Sequence, residues 1–322
     1  MRKLTTLVLL AVGIAALTAL PAAARPGGTN GKIVVNVDNS VTGQEQVYAI
    51  DPDGTDMQLL ANDAEAGQWS PDGAKIAIVP NEGDGGYLSF DTGGFTNLGF
   101  PFDLYPDLQL YCGVWSPDGS RLACEGFGQT DGSLNGVYTI RASDGGDLQR
   151  VTSDPNGDDC PSDYSPNGKR LVVTRTNDTT AEIDTVKLDG SGLTRLTPDG
   201  TAFDFCSGSW SPQGNEIVFS QHVPDFSHRS SMWAVHSDGS GLRQIPVAGC
   251  GGLSSDQTSI GCRGPVWSPD GRKLMFVRRS LIPNDHKDLF TVNPDGSGLF
   301  QVTNTPNLDE AGGDWGTHPI TP

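Results

Sequence analysis

One short phrase, an aromatic residue followed by Ser-Pro-Asp-Gly or a close variant, constrains the fold more than any other feature of the chain. It stands at Trp69–Gly73, Trp115–Gly119, Tyr164–Gly168, Trp210–Gly214 and Trp267–Gly271, with a degenerate copy at Asp314–Thr317. Successive aromatic positions lie 46, 49, 46, 57 and 48 residues apart. A period of roughly 40–50 residues with strand-like content marks propeller blades. The turn chemistry explains the phrase. Pro presets φ, Asp or Asn suits the next position, and Gly takes the left-handed conformation that returns the chain as a hairpin. The aromatic residue before the turn is expected to pack as a plate between neighbouring blades.

Each full copy precedes a β-type run such as Ile76–Val79, Leu171–Val173 or Leu274–Phe276. A second repeat leads short apolar runs into Asp-Gly turns, as at Val137–Ile140 before Asp144 and Leu289–Val292 before Asp295. Two hairpins per repeat give four antiparallel strands. The expected fold is therefore an all-β, six-bladed β-propeller. The longest interval is read as an insertion around Gly249 to Cys262. Residues 31–60 lack an inner strand of the aromatic type, and Gly312–Gly316 supplies one. The last blade is thus expected to close with strands from both ends of the chain.

The organisation reads as a signal peptide over 1–24, a short linker over 25–30 and the propeller over 31–322. Arg2 and Lys3, the apolar run Leu7–Leu20 and the small residues Ala22–Ala24 carry the signal reading. The apolar run is too short to span a bilayer, so no membrane insertion is expected. Cleavage would remove two positive charges from a chain whose formal charge is −18. Such a surface repels phosphate backbones, which argues against nucleic acid. A secreted or periplasmic monomer is expected.

The phrase W-S-P-D-G, the D-G-S-G-L turn and the terminal D-W-G-T-H-P resemble the PD40, WD40-like propeller repeats of the TolB family. The resemblance covers about residues 31–322 and implies the propeller alone, without the N-terminal α/β domain that TolB carries. Similar repeats precede the catalytic domain of prolyl-oligopeptidase-like enzymes, but no G-x-S-x-G elbow occurs here.

The two turn types fall on one face of the disc, and the variable connections fall on the other, where binding is expected. Acidic residues recur just before the inner strands, at Asp63 and Glu65, Asp103 and Asp107, Asp158 and Asp159, Asp204, and Asp309 and Glu310. Such a rim can hold Ca²⁺ through carboxylates and carbonyls, and solvated loop ends account for the same residues without an ion. His222 and His228 share one loop, and His286 lies on the matching loop of the next blade near Arg278 and Arg279. Candidate binding residues are Asp158, Asp159, Asp204, His222, His228, Arg278, Arg279, Asp309 and Glu310. A protein, peptide or glycan of the envelope or extracellular space is the expected ligand. The alternative is a carbohydrate lyase or hydrolase using His222, His228 and His286, and a purely structural envelope role is a third reading.

The six cysteines, Cys112, Cys124, Cys160, Cys206, Cys250 and Cys262, read as disulfide staples in an oxidising compartment. A hairpin register that sets Trp115 opposite Arg121 also sets Cys112 opposite Cys124. Cys160 and Cys206 occupy equivalent places in adjacent blades. Cys250 and Cys262 would close the inserted loop.

Overall fold

The repeated turn owes its shape to its serine and aspartate. Ser70 Oγ donates to Asp72 Oδ1 at 2.5 Å and accepts from the Lys75 amide at 2.9 Å, while Asp72 Oδ1 accepts from the Ala74 amide. The same clasp recurs at Ser116 with Asp118 and at Ser268 with Asp270. Gly73 sits at φ +70°, which a side chain would strain. One turn thus fixes the register of each inner hairpin.

The computed structural model describes residues 28–80, 85–90, 94–98, 105–176, 181–198, 206–222, 230–251, 259–280 and 286–317. The expected signal peptide over 1–24, Asp103, Asp204 and His228 lie outside them. Among the described residues no helix is long and apolar enough to cross a membrane.

The molecule is an all-β propeller. Its first sheet holds β1 (Ile33–Asn39), β2 (Gln44–Ile50), β3 (Gln58–Asn62) and, innermost, the final strand of the chain. The second holds β4 (Ala64–Trp69), β5 (Lys75–Pro80), β6 (Gly86–Ser89) and β7 (Gly94–Asn97). The third holds β8 (Leu108–Trp115), β9 (Arg121–Gly128), β10 (Gly136–Arg141) and β11 (Gln149–Arg150). The fourth holds β12 (Asp158–Tyr164), β13 (Arg170–Thr176), β14 (Ala181–Lys187) and β15 (Thr194–Arg195). Beyond these come β16 (Ser209–Trp210), β17 (Glu216–His222), β18 (Ser230–His236), β19 (Arg243–Gln244), β20 (Ser259–Trp267), β21 (Leu274–Ser280), β22 (His286–Val292) and β23 (Phe300–Gln301), and the final strand, already placed in the first sheet, is β24 (Leu308–Trp315).

The sequence reading of six four-stranded blades is corrected by the strand pairing. Four discrete four-stranded blades stand round the axis, not six, and the strands read as two more form one sheet of order β16-β17-β18-β20-β21-β22-β23, with β19 on β18. The junction is the parallel pair Ser230–Gly261. Its cause is the insertion, which lengthens β20 at its start and brings Gly261 beside β18. The Cys250–Cys262 disulfide ties that segment down.

The motif aromatics are buried between sheets. Trp69 packs with Val34 and Val47 of the first sheet and with Ile76 and Ile78 of its own. Tyr164 joins Val114 and Ala123 to Leu171 and Val173, and Trp315 joins Met275 and Leu289 to Ile33. The amides of two of the motif tryptophans are held by a carboxylate of the neighbouring inner strand. Trp69 N–H donates to Asp314 Oδ2 at 2.9 Å and Trp210 N–H to Asp163 Oδ2 at 2.8 Å. Glycine lets inner strands approach: a Cβ on Gly67 would lie 2.4 Å from the Gly113 carbonyl oxygen.

At the seam β24 pairs with β1 from Ile33–Trp315 to Asn39–Leu308. Trp315 Nε1–H donates to the Gly31 carbonyl at 3.1 Å. Replacing Trp315 with alanine removes both the plate and this bond. The expected cost is about 3–5 kcal/mol of unfolding free energy, read by urea titration. Val41→Ala, on an exposed side chain, should shift the same transition by less than about 0.5 kcal/mol. Equal shifts would show that the plates do not carry the fold.

Candidate functional site at the channel mouth

The inner strands leave a central channel of about 1060 Å³. Each of β4, β8, β12 and β20 carries a register irregularity against its partner, as between Cys112 and Val114 or Pro161 and Asp163. These bulges turn residues toward the axis. Gln68 reaches over from β4 to donate to the Ser162 carbonyl on β12 at 3.2 Å, which narrows the channel.

The variable-loop side is acidic. Glu45, at the start of β2, and Glu65, at the start of β4, line the mouth with Glu125, and Arg263 is the cation on the wall. Burial, with the Glu45 and Asp38 charges adding to it, raises the Glu65 pKa. Burial, then the Asp158 and Asp159 charges, pushes Glu125 up to about 8. Glu125 stands beside Cys160 and Cys206, but both sulfurs are spent in a disulfide and offer no metal ligand. Two aromatics complete the mouth. Tyr111, 42 % exposed, meets Phe127 edge-on with ring centroids 5.8 Å apart.

The sequence-predicted residues divide into three groups. Asp159 is buried and ion-paired with Arg175 at 2.6 Å, and Asp158 accepts from Asn135 Nδ2 at 3.3 Å. These are wall residues. Arg278 lies over the Phe290 ring at 5.4 Å, and Arg279 pairs across β21–β22 with Lys287. His222 ends β17, and its side chain lies outside the described part of the structure. Asp309, Glu310 and His286 do come together. His286 Nδ1 lies 2.9 Å from Asp309 Oδ1, and His286 joins Glu310 in a cluster completed by Asp288. Burial pushes the Glu310 carboxyl up to about 8, against hydrogen bonds from Thr303 and Thr305 that lower it. Sequence reasoning passed over Asp288, although the alternation of a strand puts His286 and Asp288 on one side.

All three disulfides join the expected partners, Cys112–Cys124, Cys160–Cys206 and Cys250–Cys262. They fit a protein outside the cytoplasm. The route to the first pair was different from the expected register. Trp115 pairs with Leu122, not Arg121, and the bulge at Gly113 then sets Cys112 opposite Cys124.

The family model of the TolB beta propeller domain (PD40) matches residues 111–297, more than half of the chain. The chain belongs to this family. A relative in Agrobacterium fabrum, described as the uncharacterized protein Atu1656, is 29 % identical over 223 residues, covering 65 % of this chain and 68 % of its own length. Among solved structures, TolB from Acinetobacter baumannii superposes with a TM-score of 0.66 at 20 % identity, covering 88 % of this chain and 66 % of that one. An oligogalacturonate lyase in complex with manganese gives 0.57 at 14 % identity, covering 88 % and 76 %. At these identities the two structures share the fold. This TolB-like chain spans about two thirds of the Acinetobacter TolB.

Glu125 gives this site a measurable pH dependence. Its ordinary value is 4.5, and in the folded state it is about 8. The folded protein therefore holds this proton more tightly than the unfolded chain does. The associated stability is fully present below about pH 4.5 and is lost as pH rises through about 8. Glu125→Gln should flatten the fall in melting temperature between about pH 5 and 9, and should raise stability most at the alkaline end. A variant whose melting curve parallels wild type throughout would contradict a buried, neutral Glu125.

Proposed function

We propose that this TolB-like propeller is an exported binding module that takes a positively charged polypeptide segment at the mouth of its channel. The observation that carries the reading is the combination of Glu45 and Glu65 with Tyr111 and Phe127 on one rim of a cavity of about 1060 Å³. Carboxylates attract and orient Lys and Arg side chains, and an exposed aromatic face adds cation–π contact. A formal charge of −18 draws the same partner from a distance. Export through residues 1–24 as a cleaved signal fits the three disulfides. The module acts as a monomer in the periplasm or beyond the cell, and its ligand is an envelope or extracellular protein. A carbohydrate lyase would need a convergent base or metal set at the mouth. The likeness to the oligogalacturonate lyase supports only the shared architecture.

The test is fluorescence anisotropy with a short Lys/Arg-rich peptide and its Asp/Glu-rich counterpart. The basic peptide should bind, weaken as salt rises, and lose at least about tenfold in affinity to the combined Glu45→Gln, Glu65→Gln and Tyr111→Ala variant. Equal binding of the two peptides, or an unchanged affinity in that variant, would overturn the proposal.

A further inference from the structure

Outside the channel, on the same variable-loop side, β22 packs against β24 and leaves three buried polar atoms facing one another. They are His286 Nε2, Asp288 Oδ1 and Glu310 Oε2; the first two contact only each other, at 3.3 Å without hydrogen-bond alignment, and Glu310 Oε2 has no hydrogen-bond partner among the described residues. One donor atom from each of the three residues lies within 4.8 Å of the other two. Glu310 is 0 % exposed, while His286 is 19 % exposed and leaves a way in. Orphaned carboxylate oxygens in a buried site are costly unless a cation neutralises them.

The repeat itself shows what is missing here. Asp159 occupies in the fourth sheet the place of Glu310, since each accepts from the threonine after the preceding sheet's last strand, Thr152 and Thr303. Asp159 faces Arg175 across the ladder and pairs with it at 2.6 Å. Glu310 faces Val37. Glu182 likewise occupies the place of Asp288, because Ile183 and Leu289 both donate to the threonine of their repeat. Glu182 is ion-paired with Arg195, whereas Asp288 receives the neutral Gln301 amide at 3.1 Å and the Thr305 backbone amide, with His286 rather than an arginine beside it. Both arginines that neutralise the equivalent acids are absent at this seam.

His286 is arranged to serve as a ligand. Its Nδ1 lies 2.9 Å from Asp309 Oδ1, and the tautomer that donates from Nδ1 to that carboxylate is the one that turns an Nε2 lone pair toward the acids. Asp309 is further fixed by the Lys287 amide at 3.0 Å. A carboxylate behind the imidazole is the usual support of a metal-bound histidine. The Nε2–Oδ1 separation of 3.3 Å matches the edge of a tetrahedral site with bonds of about 2.0–2.2 Å. One imidazole nitrogen and two carboxylate oxygens suit a first-row divalent ion and not calcium, which takes oxygen ligands.

We propose that His286, Asp288 and Glu310 bind one divalent transition-metal ion of the zinc class, with Asp309 as the positioning residue and water completing the shell on the exposed side of His286. The ion would join β22 of the eight-stranded sheet to β24 of the closing blade. This inference does not depend on the peptide reading of the channel mouth.

The experiment uses the full chain without a polyhistidine tag, loaded with Zn²⁺, dialysed and analysed for metal, with Co²⁺ substitution read by visible absorption. One ion per chain is expected, with a melting temperature raised by Zn²⁺ and a tetrahedral Co²⁺ spectrum. Glu310→Gln and His286→Ala should abolish all three signals, and each variant's fold is checked by its circular dichroism and its three disulfides. Asp309→Asn should retain the site with affinity weakened about 10–100-fold. No retained metal in wild type, or retention unchanged in His286→Ala, would overturn the proposal. The first outcome assigns the cluster to a proton shared by the imidazole and the acids, and the second assigns the ion elsewhere. Calcium binding that survives in His286→Ala with no zinc signal would likewise sink it in favour of the acidic rim.

Discussion

The aromatic plate wedged between adjacent sheets is the contact on which the architecture depends. A single four-stranded sheet cannot bury both of its faces, so each must lean on the next, and Trp69, Trp115, Tyr164, Trp210 and Trp315 fill those interfaces, while Trp267 does the same between the two halves of the eight-stranded sheet. Geometry alone would let the plates slide. The Asp314 and Asp163 carboxylates prevent this by gripping the amides of Trp69 and Trp210 from the neighbouring inner strand. Apolar burial supplies the attraction, and these hydrogen bonds supply the registration. The inner strands are thereby drawn close enough that only glycine fits at Gly67 beside Gly113.

What could be read from the chain itself was local chemistry that repeats. The Ser-Pro-Asp-Gly turns, the four-strand unit and the cysteine partners follow from short-range rules that tertiary context did not override. The Cys112–Cys124 case shows how a right pairing can rest on a wrong ladder. Constant register from Trp115 opposite Arg121 ignores the bulge at Gly113, and the true hairpin starts one residue off and recovers. Bulges leave no mark in a hydrophobic pattern. The count of blades failed for a related reason. Periodicity reports repeats but not whether neighbouring repeats fuse, and the Ser230–Gly261 pair arises from an insertion that has no period.

Site residues were harder still. Acidic positions before inner strands all looked alike in sequence, yet the structure separates them by their partners. Asp159 is neutralised by Arg175, Glu65 faces the Glu45 charge, and Glu310 is sealed against Val37. Those differences come from residues 16 to roughly 270 positions away along the chain, which no local pattern contains. Asp288 was within reach of the strand alternation that begins at His286. Tyr111 and Phe127, which shape the mouth, carry no motif at all.

The pairing of β1 with β24 has a mechanical consequence. The strands run antiparallel, so Ile33 and Trp315, their outward-leading residues, lie side by side at one end of the ladder. Tension applied through both flanks would part that ladder rung by rung, starting at the Ile33–Trp315 pair, because the load falls on one bond at a time. A molecule tethered at one end only would feel no such peeling. The ring is therefore strong against thermal loosening, where all rungs share the load, and weak against a pull delivered through its two ends.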